Sequence, residues 1–251
     1  MAETLLKVDN ISKRFGGLLA VNEASFSVAV GRITALIGPN GAGKTTLFSI
    51  IAGFLLPDGG RVVYDGTDIT GEAPHRLARR GIARTFQIVQ PFAGLTVREN
   101  IAIGAHLSRR GRSEALSAAG EVARSVGLGA QLEAPAAALT VAGRKRLELA
   151  RALAIMPRLL LLDEVLAGLN PSEIRDMIPV IRGIADAGVT VLMTEHVMQA
   201  VMRLAEQVLV LAEGRIIAQG TPQQVAADQR VIEAYLGHGA ARRMAVGAGH
   251  D

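Results

Sequence analysis

Hydrophobic positions along the first 37 residues fall into short runs separated by glycine and asparagine. The runs occupy residues 4–8, 18–21, 25–30 and 33–37, and they mix alternating apolar with β-branched side chains. Short runs of this kind between turn residues are typical of β-strands. We therefore expect an antiparallel β layer that leads into a strand at residues 33–37.

Two later apolar runs differ, because they lack polar alternation and end in acidic residues. Residues 159–162 are four leucines that precede Asp163, and residues 189–194 precede Glu195. Continuous apolar runs are typical of buried strands in parallel sheets. The pattern predicts two such strands here, each with a carboxylate at its end.

Shorter runs predict the remaining strands. Residues 61–64 lie between two glycine turns, and residues 82–87 form a strand-like run that ends in a glutamine. Residues 208–211 and 215–218 flank a Glu-Gly turn, which predicts a closing hairpin.

Capping signals mark where helices begin. Thr96 and Glu99 have the spacing of a capping box, and Asn170 with Glu173 has the same spacing ahead of a helical pattern. Pro179 lies inside that second pattern, and we expect it to end or kink the helix.

Between and after these segments the chain is also helical in character. Residues 108–138 predict loosely connected helices, followed by a helix that begins near Thr140 and continues to residue 155. Thr221 is placed to cap a further helix. Glycine, alanine, arginine and histidine predominate from residue 237 onward, which predicts a frayed tail.

One stretch carries most of the chemical information. Residues 38–45 read Gly-Pro-Asn-Gly-Ala-Gly-Lys-Thr, between a predicted strand and a predicted helix. Glycines let consecutive backbone N–H groups converge on a phosphate, and a helix N-terminus adds its positive dipole end. In this pattern Lys44 pairs with the β- and γ-phosphates and Thr45 holds Mg²⁺. The alternative interpretation is a glycine-rich turn without a ligand.

Composition narrows the possible functions. The 251 residues are enough for one sizeable core, or for a core with a smaller lobe. There is no cysteine, which excludes disulfides and thiolate metal sites, and no apolar run approaches the length of a membrane span. The start does not resemble a secretory signal. The basic excess is only 27 against 23 charges, it is scattered, and few aromatics accompany it, so we expect no nucleic-acid partner.

The acidic pair after the four leucines fits the phosphate-binding stretch. A carboxylate at the end of a buried strand needs a cation partner, and we expect Asp163 to find it in Mg²⁺. Glu164 is expected to face another way, because strand side chains alternate, and to accept a proton from an attacking water. The alternative is a pair of surface acids at a strand end.

Together, the order of these motifs resembles an ATP-binding-cassette (ABC) ATPase over nearly the whole chain. The resemblance rests on the phosphate-binding stretch, Gln87, the segment at Leu139, the leucine run with its acids, and His196. It implies an α/β fold with a RecA-like P-loop NTPase core, an N-terminal antiparallel β subdomain and an inserted α-helical subdomain. It further implies one domain over residues 4–237, with the helical subdomain at about 90–157, and a flexible tail at 238–251.

The resemblance also implies roles for individual residues. Glu164, His196 and Gln87 are expected in catalysis, with His196 touching the γ-phosphate, and Phe15, beside a Gly-Gly turn, is expected to stack on adenine. The metal ligands implied are Thr45, Gln87 and Asp163. The residues expected to bind ATP are Phe15, Gly38, Pro39, Asn40, Gly41, Ala42, Gly43, Lys44, Thr45, Thr46, Thr140, Ala142 and Gly143.

The last three of these residues belong to the signature segment, which in this family binds the γ-phosphate held by a second subunit. The family usually has Leu-Ser-Gly-Gly-Gln or close to it, whereas this chain has Leu139-Thr-Val-Ala-Gly143. Thr140 keeps the hydroxyl, but Ala142 adds a methyl group and Gly143 lacks a polar side chain. These changes concern hydrolysis in the partner's site and not in this chain's own site.

A narrower resemblance is to the first ATP-binding subunit of branched-chain amino acid importers. It rests on residues 83–87, 168–171, 195–196, 220–222 and 231–237. It implies ATP hydrolysis coupled to uptake of branched-chain or related hydrophobic amino acids, with ATP and Mg²⁺ as cofactors. The implied partners are a second ATP-binding subunit or a second copy, two membrane permeases and, indirectly, a periplasmic binding protein.

This resemblance places the chain peripherally on the cytoplasmic face of the inner membrane. Two alternatives stay open at the level of sequence. One is a soluble ABC ATPase that acts on DNA or the ribosome, and the other is a nucleotide-binding scaffold with little turnover.

Overall fold

The computed structural model describes residues 3–86 and 90–236, which form two β-sheets and a set of helices. The strands are β1 (Thr4–Phe15), β2 (Leu18–Ala29), β3 (Ile33–Ile37), β4 (Gly59–Tyr64), β5 (Thr67–Asp68), β6 (Ile82–Arg84), β7 (Leu159–Asp163), β8 (Thr190–Thr194), β9 (Gln207–Ala212) and β10 (Arg215–Gly220). The helices are α1 (Lys44–Ile51), α2 (Pro74–Arg79), α3 (Val97–Ala105), α4 (Arg112–Ser125), α5 (Val141–Leu153), α6 (Pro171–Asp186), α7 (Met198–Leu204), α8 (Pro222–Ala226) and α9 (Gln229–Leu236), with 3₁₀ turns at Gly129–Gln131 and Ala136–Ala138.

The first sheet is antiparallel, with the strand order β2-β1-β4-β5. Three short strands were expected before residue 31, whereas β1 and β2 are two strands of 12 residues each. Their pairing shifts register at several points, and Asn10 and Glu23 adopt positive φ. These irregularities let each strand continue through polar positions that the pattern predicted as breaks.

The second sheet has the order β10-β9-β3-β8-β7-β6. Its strands β3, β6, β7, β8 and β9 run parallel, and β10 returns antiparallel to β9. The prediction of buried parallel strands and of a closing hairpin is confirmed. Because β3 lies between β8 and β9, the loop that follows it opens at the carboxyl edge of the sheet, where α/β proteins bind ligands.

Helix α1 packs between the two sheets. Leu47 and Phe48 are fully buried, in one apolar cluster with Leu36 of β3 and Val28 of β2. The opposite face of the parallel sheet is covered by α3 to α7, which enclose a second cluster. Helix α1 is thereby held between the antiparallel sheet and the parallel sheet.

The predicted capping signals are confirmed at three helices. Thr96 caps α3, Asn170 caps α6 and Thr221 caps α8, and in each the third helical residue bonds back to the cap. Pro179 does not end α6, which continues to Asp186. The helix persists through the missing N–H because its Met177 and Ile181 face is buried against the core.

Two predictions lie outside the described residues, namely Gln87 and the tail at residues 238–251. In the part of the chain that is described, no helix combines the length and the apolar character needed to cross a membrane.

Candidate functional site

Two glycines of the loop between β3 and α1 leave no room for a side chain. A Cβ on Gly38 would lie 2.0 Å from the carbonyl oxygen of Leu211, and one on Gly43 would lie 2.2 Å from that of Ala20. Both glycines adopt positive φ. Pro39, Asn40, Gly41 and Ala42 complete the turn, and its backbone lies pressed against β2 and β9.

Lys44 opens α1 and folds back across this loop. Its Nζ donates to the carbonyl oxygens of Gly38 at 2.7 Å and Pro39 at 2.9 Å. Burial lowers the pKa of Lys44, whereas the charges of Glu164 and Asp163 act in the opposite direction. The ammonium therefore lies near enough to both predicted carboxylates for their charges to act on it. Thr45 and Thr46 follow in the first turn of α1, with Thr45 exposed.

Asp163 lies at the carboxyl edge of the parallel sheet, opposite Thr194 of β8. Its Oδ1 accepts a hydrogen bond from Thr194 at 2.8 Å, and its Oδ2 accepts one from Arg84 at 2.7 Å. The sequence interpretation gave Mg²⁺ as the cation partner of this buried carboxylate. The fold also supplies a cation of its own in Arg84, and the role of Asp163 as a Mg²⁺ ligand stays a prediction.

Glu164 lies just beyond β7, in a turn. Its φ of 48° belongs to the left-handed region. The direction of the Glu164 side chain is therefore set by this turn, whereas the sequence pattern predicted that it would follow from the alternation of strand side chains. Its Oε1 is 3.8 Å from Nδ1 of His196, which is exposed. The predicted base and the histidine that is expected to touch the γ-phosphate are therefore neighbours.

A buried carboxylate and a buried ammonium accompany this pair, and neither was assigned from the sequence. Glu195 accepts a hydrogen bond from the backbone N–H of Leu166 at 2.9 Å, and Lys145 donates to the carbonyl oxygen of Glu164 at 3.3 Å. Burial raises the pKa of Glu195 to about 7, although the Leu166 N–H favours its charged form. The sequence contained a signal, since Glu195 ends an apolar strand just as Asp163 does.

Phe15 ends β1 at the Gly-Gly turn, and its ring is half exposed. The ammonium of Lys13 lies 5.7 Å from the centre of the ring. The same hairpin approaches the phosphate-binding loop, because Ala20 of β2 contacts Gly43. An exposed aromatic face therefore stands on the element that borders this loop.

The signature segment forms the start of α5. Thr140 is the N-cap, and its hydroxyl accepts a hydrogen bond from the N–H of Gly143 at 3.1 Å. Ala142 is partly buried, and Val141 projects an exposed apolar side chain. The segment thus presents a helix N-terminus, which favours negative charge.

The donor atoms at the site suit a hard cation. Thr45 has a hydroxyl and Asp163 a carboxylate, which are oxygen ligands of the kind Mg²⁺ uses beside substrate phosphates. Within the described residues no group of three or more His, Cys, Asp or Glu side chains could hold a metal by itself. The residues present fit an ion bound jointly by protein and phosphate.

Comparisons with known proteins agree with this geometry. Residues 21–167 match the family described as ABC transporter, and residues 215–241 match the one described as branched-chain amino acid ATP-binding cassette transporter. The high-affinity branched-chain amino acid transport ATP-binding protein BraF of Pseudomonas aeruginosa is 38% identical over 253 residues, covering 94% of this chain and 99% of BraF. LivG of Escherichia coli K12, with the same description, is 37% identical with the same coverage.

Solved structures give the same result for the fold. An ATP-binding cassette of an ABC transporter in its ADP conformation has a TM-score of 0.86 and 32% identity, covering 94% of this chain and 100% of that one. The predicted fold class is confirmed. The chain therefore belongs to the ABC transporter family as an ATP-binding transport ATPase, and its C-terminal part matches the branched-chain amino acid cassettes.

Proposed function

We propose that this chain hydrolyses ATP to drive uptake of branched-chain or related hydrophobic amino acids through partner permeases. Support comes from BraF and LivG, which are branched-chain amino acid transport ATP-binding proteins, and from the match of residues 215–241 to the branched-chain amino acid transporter family. The relatives are transport proteins, which favours transport over the soluble alternative on DNA or the ribosome.

The observation that carries the site assignment is the charge arrangement around Lys44. A buried ammonium under the glycine loop interacts with Asp163 and Glu164, and Glu164 lies 3.8 Å from His196. In the proposed site the side chain of Lys44 and the backbone N–H groups of residues 40–44 bind the phosphates of ATP. Glu164 accepts the proton of the attacking water, and His196 contacts the γ-phosphate. Phe15 stacks on adenine.

Mg²⁺ is the cofactor that this donor set fits. Thr45 and Asp163 would hold it, with Gln87 as the third ligand that the family resemblance implies. When bound, the ion neutralises charge on the phosphates. Arg84 and Thr194 then have the separate task of holding the Asp163 carboxylate in place.

The charge-stabilising group for this chain's site is proposed to come from a second subunit. Thr140, Ala142 and Gly143 would in turn serve the second subunit's site, which makes a head-to-tail pair with another ATP-binding subunit or a second copy. Two transmembrane permeases, and indirectly a periplasmic binding protein, complete the proposed assembly on the cytoplasmic face of the inner membrane. Nucleic acid is not among the proposed partners.

A Glu164→Gln variant tests the proposal in the assembled transporter. It keeps the size of the side chain but loses the base, so we expect unchanged ATP affinity and a fall in ATPase rate of about a hundredfold or more. Uptake of radiolabelled leucine into cells should fall with it. Glu206→Gln, which changes an acid paired with Arg32 instead, is the matched control.

If the Glu164→Gln variant hydrolysed ATP at the rate of the parent protein, Glu164 would not be the base. ATP hydrolysis without any uptake of branched-chain amino acids by the parent assembly would instead overturn the proposed cargo.

A further inference from the structure

The turn that carries Glu164 is held at three points by hydrogen bonds. The N–H of Glu164 donates to the carbonyl oxygen of Thr194 at 3.1 Å. Its own carbonyl oxygen accepts from Lys145, and the N–H of Leu166 donates to the Glu195 carboxylate. Two of these three contacts come from charged side chains and not from the sheet ladder.

Those two side chains are almost completely removed from water. Glu195 is 1% exposed and Lys145 is 6% exposed. Burying a carboxylate and an ammonium is costly unless each finds compensating charge and hydrogen bonds. Glu195 is the carboxylate that acts most strongly on Lys145, followed by Glu164. The opposite charges of the two groups thus act on each other, and each group also binds the backbone of residues 164–166.

The two groups reach the turn from different parts of the chain. Glu195 directly precedes His196, so the residue that binds the turn is adjacent in sequence to the histidine expected to touch the γ-phosphate. Lys145 lies on α5, two positions after Gly143 of the signature segment. Two buried charged groups that bind one turn therefore connect three elements that the proposed mechanism uses separately.

We propose that Glu195 and Lys145 are positioning residues of the ATPase site. They fix the turn that carries Glu164 and connect it to α5, the helix that begins with the signature segment. They touch neither ATP nor the reacting atoms, and they act through Glu164. The proposal rests on the role of Glu164 given above but not on the identity of the cargo.

This arrangement makes a specific kinetic prediction. If the pair only supported the fold, its loss would lower stability and would affect ATP binding and turnover together. A positioning pair affects the reacting geometry instead, since a displacement of about 1 Å at a catalytic group can lower the rate by about a hundredfold. ATP binding, which depends on the glycine loop and Lys44, should be spared.

The test uses the assembled transporter and the variants Lys145→Met, Glu195→Leu and Glu195→Gln. We expect kcat to fall about ten- to a hundredfold in Lys145→Met and Glu195→Leu, with KM for ATP within about twofold of the parent. Glu195→Gln keeps an oxygen for the Leu166 N–H and the shape of the side chain, so its fall in kcat should be smaller. The double variant Lys145→Met with Glu195→Leu should be no worse than the more damaged single variant, because both act on one turn.

Lys7→Met and Glu206→Gln are matched controls, since both residues lie in surface ion pairs away from this turn. Should Glu195→Leu fail to fold, Glu195→Gln and Lys145→Met still decide the matter. The positioning role would be overturned if both of these variants had the kcat of the parent, or if kcat and KM changed by equal factors. Glu164→Gln measured alongside separates the two proposals, because it must lose hydrolysis for the role of Glu164 itself to stand.

Discussion

Arg84 and Asp163 form an ion pair of 2.7 Å in which both side chains are about nine-tenths buried. They come from the adjacent strands β6 and β7. The guanidinium also lies 5.6 Å from the ring centres of both Phe54 and Phe86, and it donates to Ser49 of α1. The carboxylate proposed to bind Mg²⁺ is therefore held by a cation that belongs to the fold.

This relationship predicts a large stability loss on replacement of Arg84. Arg84→Ala leaves Asp163 buried without its charge partner, which typically costs about 3–5 kcal/mol. Urea unfolding of the purified chain measures the loss. Arg158→Ala is the control, because Arg158 and Asp65 form an exposed pair worth less than about 1 kcal/mol. Similar losses in the two variants would contradict the assigned role of Arg84.

Opposite effects are expected for glycine-to-alanine substitutions at Gly43, in the glycine loop, and at Gly183, in α6. Gly43→Ala places a Cβ against the Ala20 carbonyl at positive φ, so we expect a loss of at least about 2 kcal/mol and weaker ATP binding. Gly183 lies inside α6 with open space around it. Gly183→Ala should therefore stabilise the fold by about 0.5–1 kcal/mol. Thermal unfolding and a fluorescent ATP analogue measure both, and a tolerated Gly43→Ala would refute the close approach.

Stability should depend on pH through Glu195. Burial raises its pKa from the ordinary 4.5 to about 7, so the folded state binds this proton more tightly than the unfolded chain. The resulting stabilisation is complete below about pH 4.5 and is lost as the pH rises through about 7. The groups that face Glu195 are the N–H groups of Leu166 and His196 and the charges of Glu164 and Lys145.

Glu195→Gln carries no such proton, and it should flatten the stability change between pH 5 and pH 8 by a few kcal/mol. Urea unfolding of parent and variant at both pH values provides the comparison. An identical pH dependence in the two proteins would show that Glu195 ionises normally in the folded state.

Two threonine caps separate stability from function. Thr140 caps α5 and Thr221 caps α8, each through its hydroxyl, and replacing either by alanine should cost about 1 kcal/mol. Only Thr140→Ala should also lower the ATPase rate of the assembled transporter, because only α5 carries the signature segment. A comparable drop in rate from Thr221→Ala would remove this distinction.

Local pattern was sufficient for much of the fold. The leucine run, the 189–194 run and the capping boxes at Thr96 and Asn170 predicted their elements, because burial and caps are properties of a few neighbouring residues. The first two strands were predicted too short, since their irregular pairing depends on the partner strand. Pro179 was expected to end or kink α6, and the structure shows that α6 does not end there, because burial of one helix face keeps it continuous to Asp186.

The sequence by itself determined the glycine loop between strand and helix, the acidic pair Asp163 and Glu164, and the family. These lie in contiguous motifs whose spacing carries their chemistry. Only the tertiary structure decided that Arg84 forms an ion pair with Asp163 and that a positive φ turns Glu164 toward His196. It also decided that Lys145 and Glu195 both bind the backbone of one turn. Such contacts join residues up to 79 positions apart, and they depend on strand order and burial, which no local pattern encodes.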